Sequence, residues 1–97
     1  MSHTNLIVEL HIKEGQAESF IKMFKKEFVA RSVKEEGCHL YQLWVNPEDR
    51  HKLTVVESWN SQGDLDRHME LDWFKEWGPK MEEMSRTPVQ VQFLTSA

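Results

Sequence analysis

Two kinds of hydrophobic repeat alternate along this chain, and their order limits the folds that it can adopt. Apolar and polar residues alternate with a period of two, which is typical of a half-buried β-strand, in four segments. These segments are residues 5–12, 38–45, 53–59 and 89–95. Apolar residues at three- and four-residue spacing, which indicate amphipathic helices, begin at Ala17 and again at Leu65. The predicted element order is therefore β-α-β-β-α-β.

This order predicts an α+β fold of the ferredoxin-like, split β-α-β type. In such a fold a four-stranded antiparallel sheet carries both helices on one face. We expect the first helix to end near Gly37, and we expect Gly78-Pro79 to break or kink the second helical region. Since no linker or repeat interrupts the pattern, we expect one domain over residues 1–97.

The two middle strand segments predict an antiparallel hairpin, because only the polar connector 46–51 separates them. The register that best separates apolar from polar residues puts Tyr41 and Leu43 on one face with Val55, Glu57 and Trp59. Glu57 is the exception on this apolar face. A buried carboxylate needs a partner or a raised pKa, so Glu57 is either internally satisfied or a candidate general base.

The sheet face that points away from the helices is predicted to be uncovered. It carries five apolar residues among polar ones: Ile7, Leu40, Trp44, Val56 and Leu94. An apolar surface of this kind usually marks an interaction site, and two-fold pairing is the commonest way to cover it. We therefore expect a homodimer.

The composition argues against several classes of partner. The net charge is −4 and Lys25-Lys26 is the longest basic run, so a nucleic-acid partner is not expected. Apolar stretches do not exceed three residues and no basic-then-apolar leader pattern is present, so we expect no membrane partner and a cytoplasmic location. The lone Cys38 agrees with a reducing compartment.

The sequence also carries no pattern for a metal or a cofactor. The histidines, at positions 3, 11, 39, 51 and 68, are not spaced to place two ligands on one helix face. The chain has neither a Gly-rich phosphate loop nor a serine nucleophile elbow. We therefore expect no metal site and no cofactor.

Three short motifs, in this order and spacing, resemble the antibiotic biosynthesis monooxygenase domain family. They are Glu36-Gly37-Cys38 followed by Tyr41 and Leu43, then Glu57 with Trp59, and then Leu65 with His68. The resemblance covers nearly the whole chain. It implies a dimeric α+β barrel with a pocket between the sheet and the helices of each subunit.

Members of this family include enzymes that oxidise quinols or polycyclic phenols with dioxygen, without flavin, haem or metal. The resemblance thus implies a cofactor-independent monooxygenase that acts on a small quinol or phenol-like substrate with dioxygen. The haem-degrading branch carries an Asn on strand one where this chain has Val8, which argues against haem. Two alternatives stay open: an oxygen-independent isomerase or lyase of a carbonyl or sugar-like compound, and a non-catalytic dimeric ligand-binding module.

Six residues are candidates for the site. His68 and Glu57 are the candidate catalytic bases, because burial or a neighbouring charge can bring either pKa towards neutrality. Each has a structural alternative, namely a hydrogen-bonded core histidine and a carboxylate satisfied by Tyr41 or by backbone amides. The aromatic residues expected to bind substrate are Tyr41, Trp59, Trp73 and Phe74. Trp59 is equally a core residue by its pattern, and the resemblance favours the pocket.

Overall fold

The structure, a computed structural model, describes residues 3–97. Met1 and Ser2, which the predicted domain includes, lie outside the described residues. The elements in chain order are β1 (Thr4–His11), α1 (Ala17–Phe24), a π-helical segment (Lys25–Val29), α2 (Ala30–Ser32), β2 (Cys38–Asn46), β3 (Asp49–Trp59), α3 (Gln62–Glu70), α4 (Asp72–Met84) and β4 (Gln90–Leu94). The strands form one antiparallel sheet in the order β2-β3-β1-β4. The predicted ferredoxin-like α+β fold is confirmed.

The core lies between one sheet face and the helices. Alternate residues of β1, namely Leu6, Val8 and Leu10, are buried, as the period-two pattern predicts. The first helix contributes a column of stacked rings, in which the centroid of Phe24 lies 5.5 Å from Phe20 and 4.5 Å from Phe28. Full burial of one such side chain stabilises the fold by roughly 1.5–3 kcal/mol, so these rings anchor the helix on the sheet.

The predicted hairpin register is confirmed, since Tyr41 lies opposite Glu57 in the β2–β3 ladder. The connector is shorter than predicted, because β2 runs to Asn46 and β3 begins at Asp49. The side chain of Asn46 accepts a hydrogen bond from the backbone N–H of Glu48 at 2.8 Å. This local bond satisfies a donor inside the turn, and the strands can therefore approach the turn more closely than the polar sequence indicates.

The first helical region ends at Ser32, a few residues earlier than the predicted end near the Glu36-Gly37 turn. Two tight turns replace its last part, in which the N–H of Glu35 donates to Ser32 O and the N–H of Cys38 donates to Glu35 O. Gly37 has a φ of +88°, which an L-residue with a side chain rarely adopts. The turn therefore ends the helix before the glycine rather than at it.

The second helical region breaks at Leu71, whose extended backbone (φ −65°, ψ 143°) separates α3 from α4. Gly78-Pro79 was predicted to break or kink this region, and it does not break it, because α4 passes through both residues. Gly78 carries no Cβ to clash with the ring of Pro79, which relieves the usual restriction on a residue before proline. Within residues 3–97 no helix combines the length and the apolar character needed to cross a membrane.

The sheet face opposite the helices is not covered by any part of residues 3–97. Trp44 and Leu94 on this outer face are 58% and 46% exposed, and Ile7, Leu40 and Val56 are half-buried. The apolar residues predicted for this face therefore do lie on it.

The two glycines with positive φ give a matched test of the turn before β2. A Cβ at Gly37 would lie 2.5 Å from Cγ of Asp64, whereas a Cβ at Gly15 would meet nothing within 4 Å. We expect Gly37→Ala to lower the free energy of unfolding by about 2–4 kcal/mol and Gly15→Ala by only about 1–2 kcal/mol, because Gly15 incurs backbone strain alone. Urea unfolding at one fixed chain concentration measures both, and equal losses would contradict the predicted clash.

Candidate active site

A cavity of about 630 Å³ lies between the sheet and the helices. This volume is within the range of small-molecule sites. The apolar part of its wall comes from both layers: Leu6, Val8 and Val55 from β1 and β3, Phe24 and Phe28 from the first helical region, Leu65, Phe74 and Met81 from α3 and α4, and Val91 and Phe93 from β4. Three buried polar side chains also line it, namely Tyr41, Glu57 and His68, with the exposed Lys75 and Glu82 at its rim.

Glu57 is delivered into the cavity by β3, whose alternation puts it on the core face. Burial raises its pKa to about 7, against the opposing effect of a hydrogen bond from Trp59. In that bond Nε1–H of Trp59 donates to Oε1 of Glu57 at 3.0 Å. Near neutral pH, both the protonated and the ionised form of Glu57 are therefore populated, as proton transfer requires.

His68 lies on the buried side of α3 inside a cage of aromatic rings. Its ring centroid is 4.6 Å from Trp59, 4.9 Å from Phe74, 5.5 Å from Trp73 and 5.7 Å from Tyr41. Burial lowers the pKa of His68 below its ordinary value of 6.5, and the neighbouring Glu35 opposes this shift in part. The imidazole is therefore neutral near pH 7 and can accept a proton.

Glu35 holds the other edge of this ring. Its Oε2 lies 2.8 Å from Nδ1 of His68, and the side chain of His68 is only 2% exposed. Glu35 is a site residue that the sequence did not reveal. Glu35 lies 33 positions before His68, and no local motif connects the two residues. It lies in a turn that the hydrophobic pattern had assigned to the first helix.

Tyr41 adds a hydroxyl to the same wall. Burial raises the pKa of this phenol well above 10, and the charge of Glu57 is the second largest cause of the increase. The adjacent Ser32 has the opposite effect. The Ser32 hydroxyl is fully buried, and its oxygen has no hydrogen bond of good geometry within residues 3–97. Tyr41 therefore remains protonated at neutral pH and is available as a hydrogen-bond donor.

The structure brings four of the six predicted residues onto the cavity wall: Tyr41, Glu57, His68 and Phe74. The other two, Trp59 and Trp73, lie behind it. Trp59 is fully buried between Glu57 and His68, and Trp73 packs edge-on against His68. Both tryptophans therefore contact the polar residues of the wall rather than the space inside it.

Two further wall residues, Phe24 and Phe28, were predicted only as helix core. Their helical spacing is the same for a residue that packs against the sheet and for one that faces a void, so the sequence cannot separate the two. The π-helical segment carries Phe28 towards α4, where its ring meets Trp73 and Phe74 edge-on at 5.6 and 5.9 Å. Segments of this kind occur frequently at functional sites.

Cys38 is half-buried and is not activated as a nucleophile. Burial, together with the charges of Glu35 and Glu57, raises the pKa of Cys38 to about 11, so the thiol stays protonated and unreactive. No group of three His, Cys, Asp or Glu side chains within residues 3–97 is arranged to hold a metal ion.

This arrangement suits proton transfer to and from a small apolar molecule. A neutral imidazole can accept a proton, a carboxyl group of pKa about 7 can give or take one, and a phenol can donate a hydrogen bond. The apolar wall strengthens each of these interactions, because fewer water dipoles screen them.

The sequence and the fold of this chain are both similar to those of known proteins. A sequence profile of the family described as antibiotic biosynthesis monooxygenase matches residues 5–80. A conserved protein from Methanosarcina mazei Go1 superposes with a TM-score of 0.91 at 26% identity, over 100% of this chain and 95% of that one. Protein PA3566 from Pseudomonas aeruginosa gives a TM-score of 0.90 at 25% identity, over 100% and 96%.

A solved structure described as an antibiotic biosynthesis monooxygenase gives a TM-score of 0.89 at 20% identity, over 97% of this chain and 98% of that one. At this identity the likeness concerns the fold. No protein with a curated description matches the chain.

The raised pKa of Glu57 predicts a specific pH dependence of stability. Its value of about 7 exceeds the ordinary 4.5, so the folded protein binds more protons than the unfolded chain, and stability falls as the pH rises from 4.5 to 7. We expect this group to remove on the order of 3 kcal/mol over that window, and we expect Glu57→Gln to lack the loss.

Urea unfolding at several pH values and one chain concentration measures the free energy of unfolding of the variant and of the wild type. The effects of other titratable groups cancel in the difference between these two free energies. Glu48→Gln, in the exposed hairpin turn, is the matched control and should follow the wild-type curve. A constant difference between Glu57→Gln and the wild type from pH 4.5 to 8 would show that Glu57 is not desolvated.

Proposed function

The chain belongs to the antibiotic biosynthesis monooxygenase family, and from this membership we propose that it oxidises a small quinol or phenol-like aromatic compound with dioxygen, independently of any cofactor. The observation that carries the proposal is one cavity that holds a neutral His68, a protonatable Glu57 and a Tyr41 hydroxyl within an apolar wall. Oxidation of a phenol by dioxygen requires a base and an apolar enclosure, which are the two properties of this cavity.

The wall favours an aromatic substrate over a sugar-like one. The rings of Phe24, Phe28 and Phe74 offer flat apolar surfaces, and the buried polar groups are too few to satisfy the hydroxyls of a sugar. These features support the monooxygenase over the isomerase or lyase alternative.

In the proposed reaction, Nε2 of His68 takes the proton of a substrate hydroxyl and leaves an electron-rich phenolate. The phenolate passes one electron to dioxygen, and the substrate radical and superoxide then combine to form a carbon–oxygen bond. The protonated form of Glu57 gives a proton to the peroxide. Both residues therefore hold a proton for part of the cycle; the raised pKa of Glu57 supplies its proton near neutral pH, and Glu35 stabilises the protonated ring of His68.

The second half of the reaction restores both residues. The Glu57 carboxylate removes the ring proton at the oxygenated carbon, the oxygen–oxygen bond breaks, and the departing hydroxide takes the proton from His68. The products are a quinone and water. One oxygen atom of dioxygen stays in the quinone, and the other leaves with the two substrate hydrogens, so atoms and electrons balance.

An oxygen electrode with a panel of one- to three-ring quinols and phenols tests this function. We expect enzyme-dependent oxygen uptake, and we expect His68→Ala and Glu57→Gln each to lower turnover about 10²–10⁴-fold while the fold is retained. Trp59→Ala should also lower the free energy of unfolding, by about 3–5 kcal/mol, because it leaves a cavity behind the wall.

His51→Ala is the matched histidine control, since His51 lies in the hairpin region and is not part of the cavity wall. Oxygen uptake no faster than autoxidation across the panel would overturn the monooxygenase proposal. Conversion of a substrate at an equal rate without oxygen would support the isomerase or lyase instead.

We also propose that two copies pair through their outer sheet faces to form a homodimer. The exposed Trp44 and Leu94 and the half-buried Val56 lie on this face, where no helix within residues 3–97 covers them. Pairing of two such faces would remove apolar surface from water on both copies at once.

The homodimer predicts a solution mass near twice the 11.5 kDa chain mass at micromolar concentration. We expect Val56→Asp to split the dimer or to unfold it, because the change places an unpaired charge in the interface. Val33→Asp, at an exposed position outside the sheet, makes the same chemical change and should leave the mass unaltered. Light scattering that gives a monomer mass for the wild type would contradict the proposal.

A further inference from the structure

We infer that Glu35 is a positioning residue for His68, whose ring it holds in the one tautomer that presents Nε2 to the cavity as a proton acceptor. The inference rests on the proposed function for its catalytic consequence. The pairing itself is a property of the unliganded protein and can be tested without a substrate.

The hydrogen bond determines which ring nitrogen carries the proton. Oε2 of Glu35 lies 2.8 Å from Nδ1 of His68, and an ionised carboxylate can only accept a hydrogen bond. Nδ1 must therefore carry the hydrogen in the neutral ring. Nε2 is left with a free lone pair, which is the form that a general base requires.

The aromatic cage and Glu35 restrain the ring in different ways. Trp59 and Phe74, with centroids 4.6 and 4.9 Å away, restrict the plane of the imidazole. These two aromatic rings do not distinguish the two imidazole nitrogens, since neither forms a hydrogen bond with His68. Within residues 3–97, Glu35 makes the only hydrogen bond to the His68 side chain, so it alone selects the nitrogen that carries the hydrogen.

The charge of Glu35 also acts on the imidazolium that forms when His68 takes a proton. Among the described residues, Glu35 is the one neighbour that opposes the effect of burial on His68. The other titratable or charged side chains around the ring and along the cavity are Cys38, Tyr41, Glu57, Lys75 and Glu82. Loss of the Glu35 charge would therefore leave the imidazolium buried without its nearest counter-ion.

The backbone around Glu35 is fixed well enough for this role. Its N–H donates to Ser32 O at 3.0 Å, and its own carbonyl accepts from the N–H of Cys38 at 3.2 Å. Two residues after Glu35, Gly37 O accepts from the N–H of Asn60 at 2.8 Å, which ties the turn to the start of the α3 region. The carboxylate is thus presented from a turn that is bonded on both sides.

Nuclear magnetic resonance of ¹⁵N-labelled histidine in the unliganded protein tests the pairing, with His68→Ala to assign the signal. In the wild type we expect a hydrogen on Nδ1 and none on Nε2. Glu35→Gln keeps the shape but removes the charge, so the pKa of His68 should fall below its wild-type value. Glu35→Met removes the acceptor as well and should give a mixture of tautomers.

Glu36→Gln is the matched control, because Glu36 is the adjacent glutamate, is exposed and forms no side-chain hydrogen bond within residues 3–97. It should change neither the tautomer nor the titration of His68. A thermal melt of each variant checks that it is folded. A wild-type ring protonated on Nε2, or a His68 signal unaltered in both Glu35 variants, would overturn the inference.

Turnover separates this inference from the proposed function. We expect Glu35→Met to lower kcat about 10–100-fold with little change in KM, and the acidic limb of its pH–rate profile to move to lower pH. Glu35→Gln should show the same shift in that limb. An unaltered kcat in Glu35→Met would overturn the positioning role. A wild-type protein that does not oxidise quinols would instead contradict the proposed function, and the tautomer measurement would then test the pairing of Glu35 with His68 by itself.

Discussion

The desolvation of Glu57 is the interaction on which the site depends. Strand alternation forces this carboxylate onto the apolar face of the sheet, where one hydrogen bond from Trp59 opposes the effect of burial on its pKa only in part. A tightly packed core above it would leave the carboxylate without room or partners. The cavity therefore leaves open space beside the Glu57 carboxylate, and the helices surround this residue without closing over it.

The helical layer makes this possible through two departures from regular helix. The π-helical segment turns Phe28 towards α4, and the extended backbone at Leu71 lets α4 leave the direction of α3. Phe74 then reaches His68 from the far side of the cavity. The aromatic cage around the imidazole is thus assembled from α4, β2 and β3, and it keeps the ring neutral by excluding water.

The features of the fold that were predicted correctly are those that depend on the hydrophobic periodicity of the sequence. Strand order, the register that faces Tyr41 with Glu57 and the apolar outer face all follow from residues two or four positions apart. The prediction failed where a contact joins distant segments. Glu35 meets His68 across 33 positions, and whether Trp59 or Phe24 borders the void depends on how far the helices stand from the sheet. The sequence also did not reveal the break at Leu71, where neither a glycine nor a proline marks the end of α3.

The edge strand β4 connects the cavity with the local dynamics of the sheet. It pairs only with β1, and Val91 and Phe93, which form part of the cavity wall, are 52% and 56% exposed. An edge with so little buried surface opens at lower free energy than the central strands. A bound molecule would cover both side chains, so occupancy and closure of this edge are thermodynamically linked. Amide hydrogens of β4 should accordingly exchange more slowly when a molecule occupies the cavity.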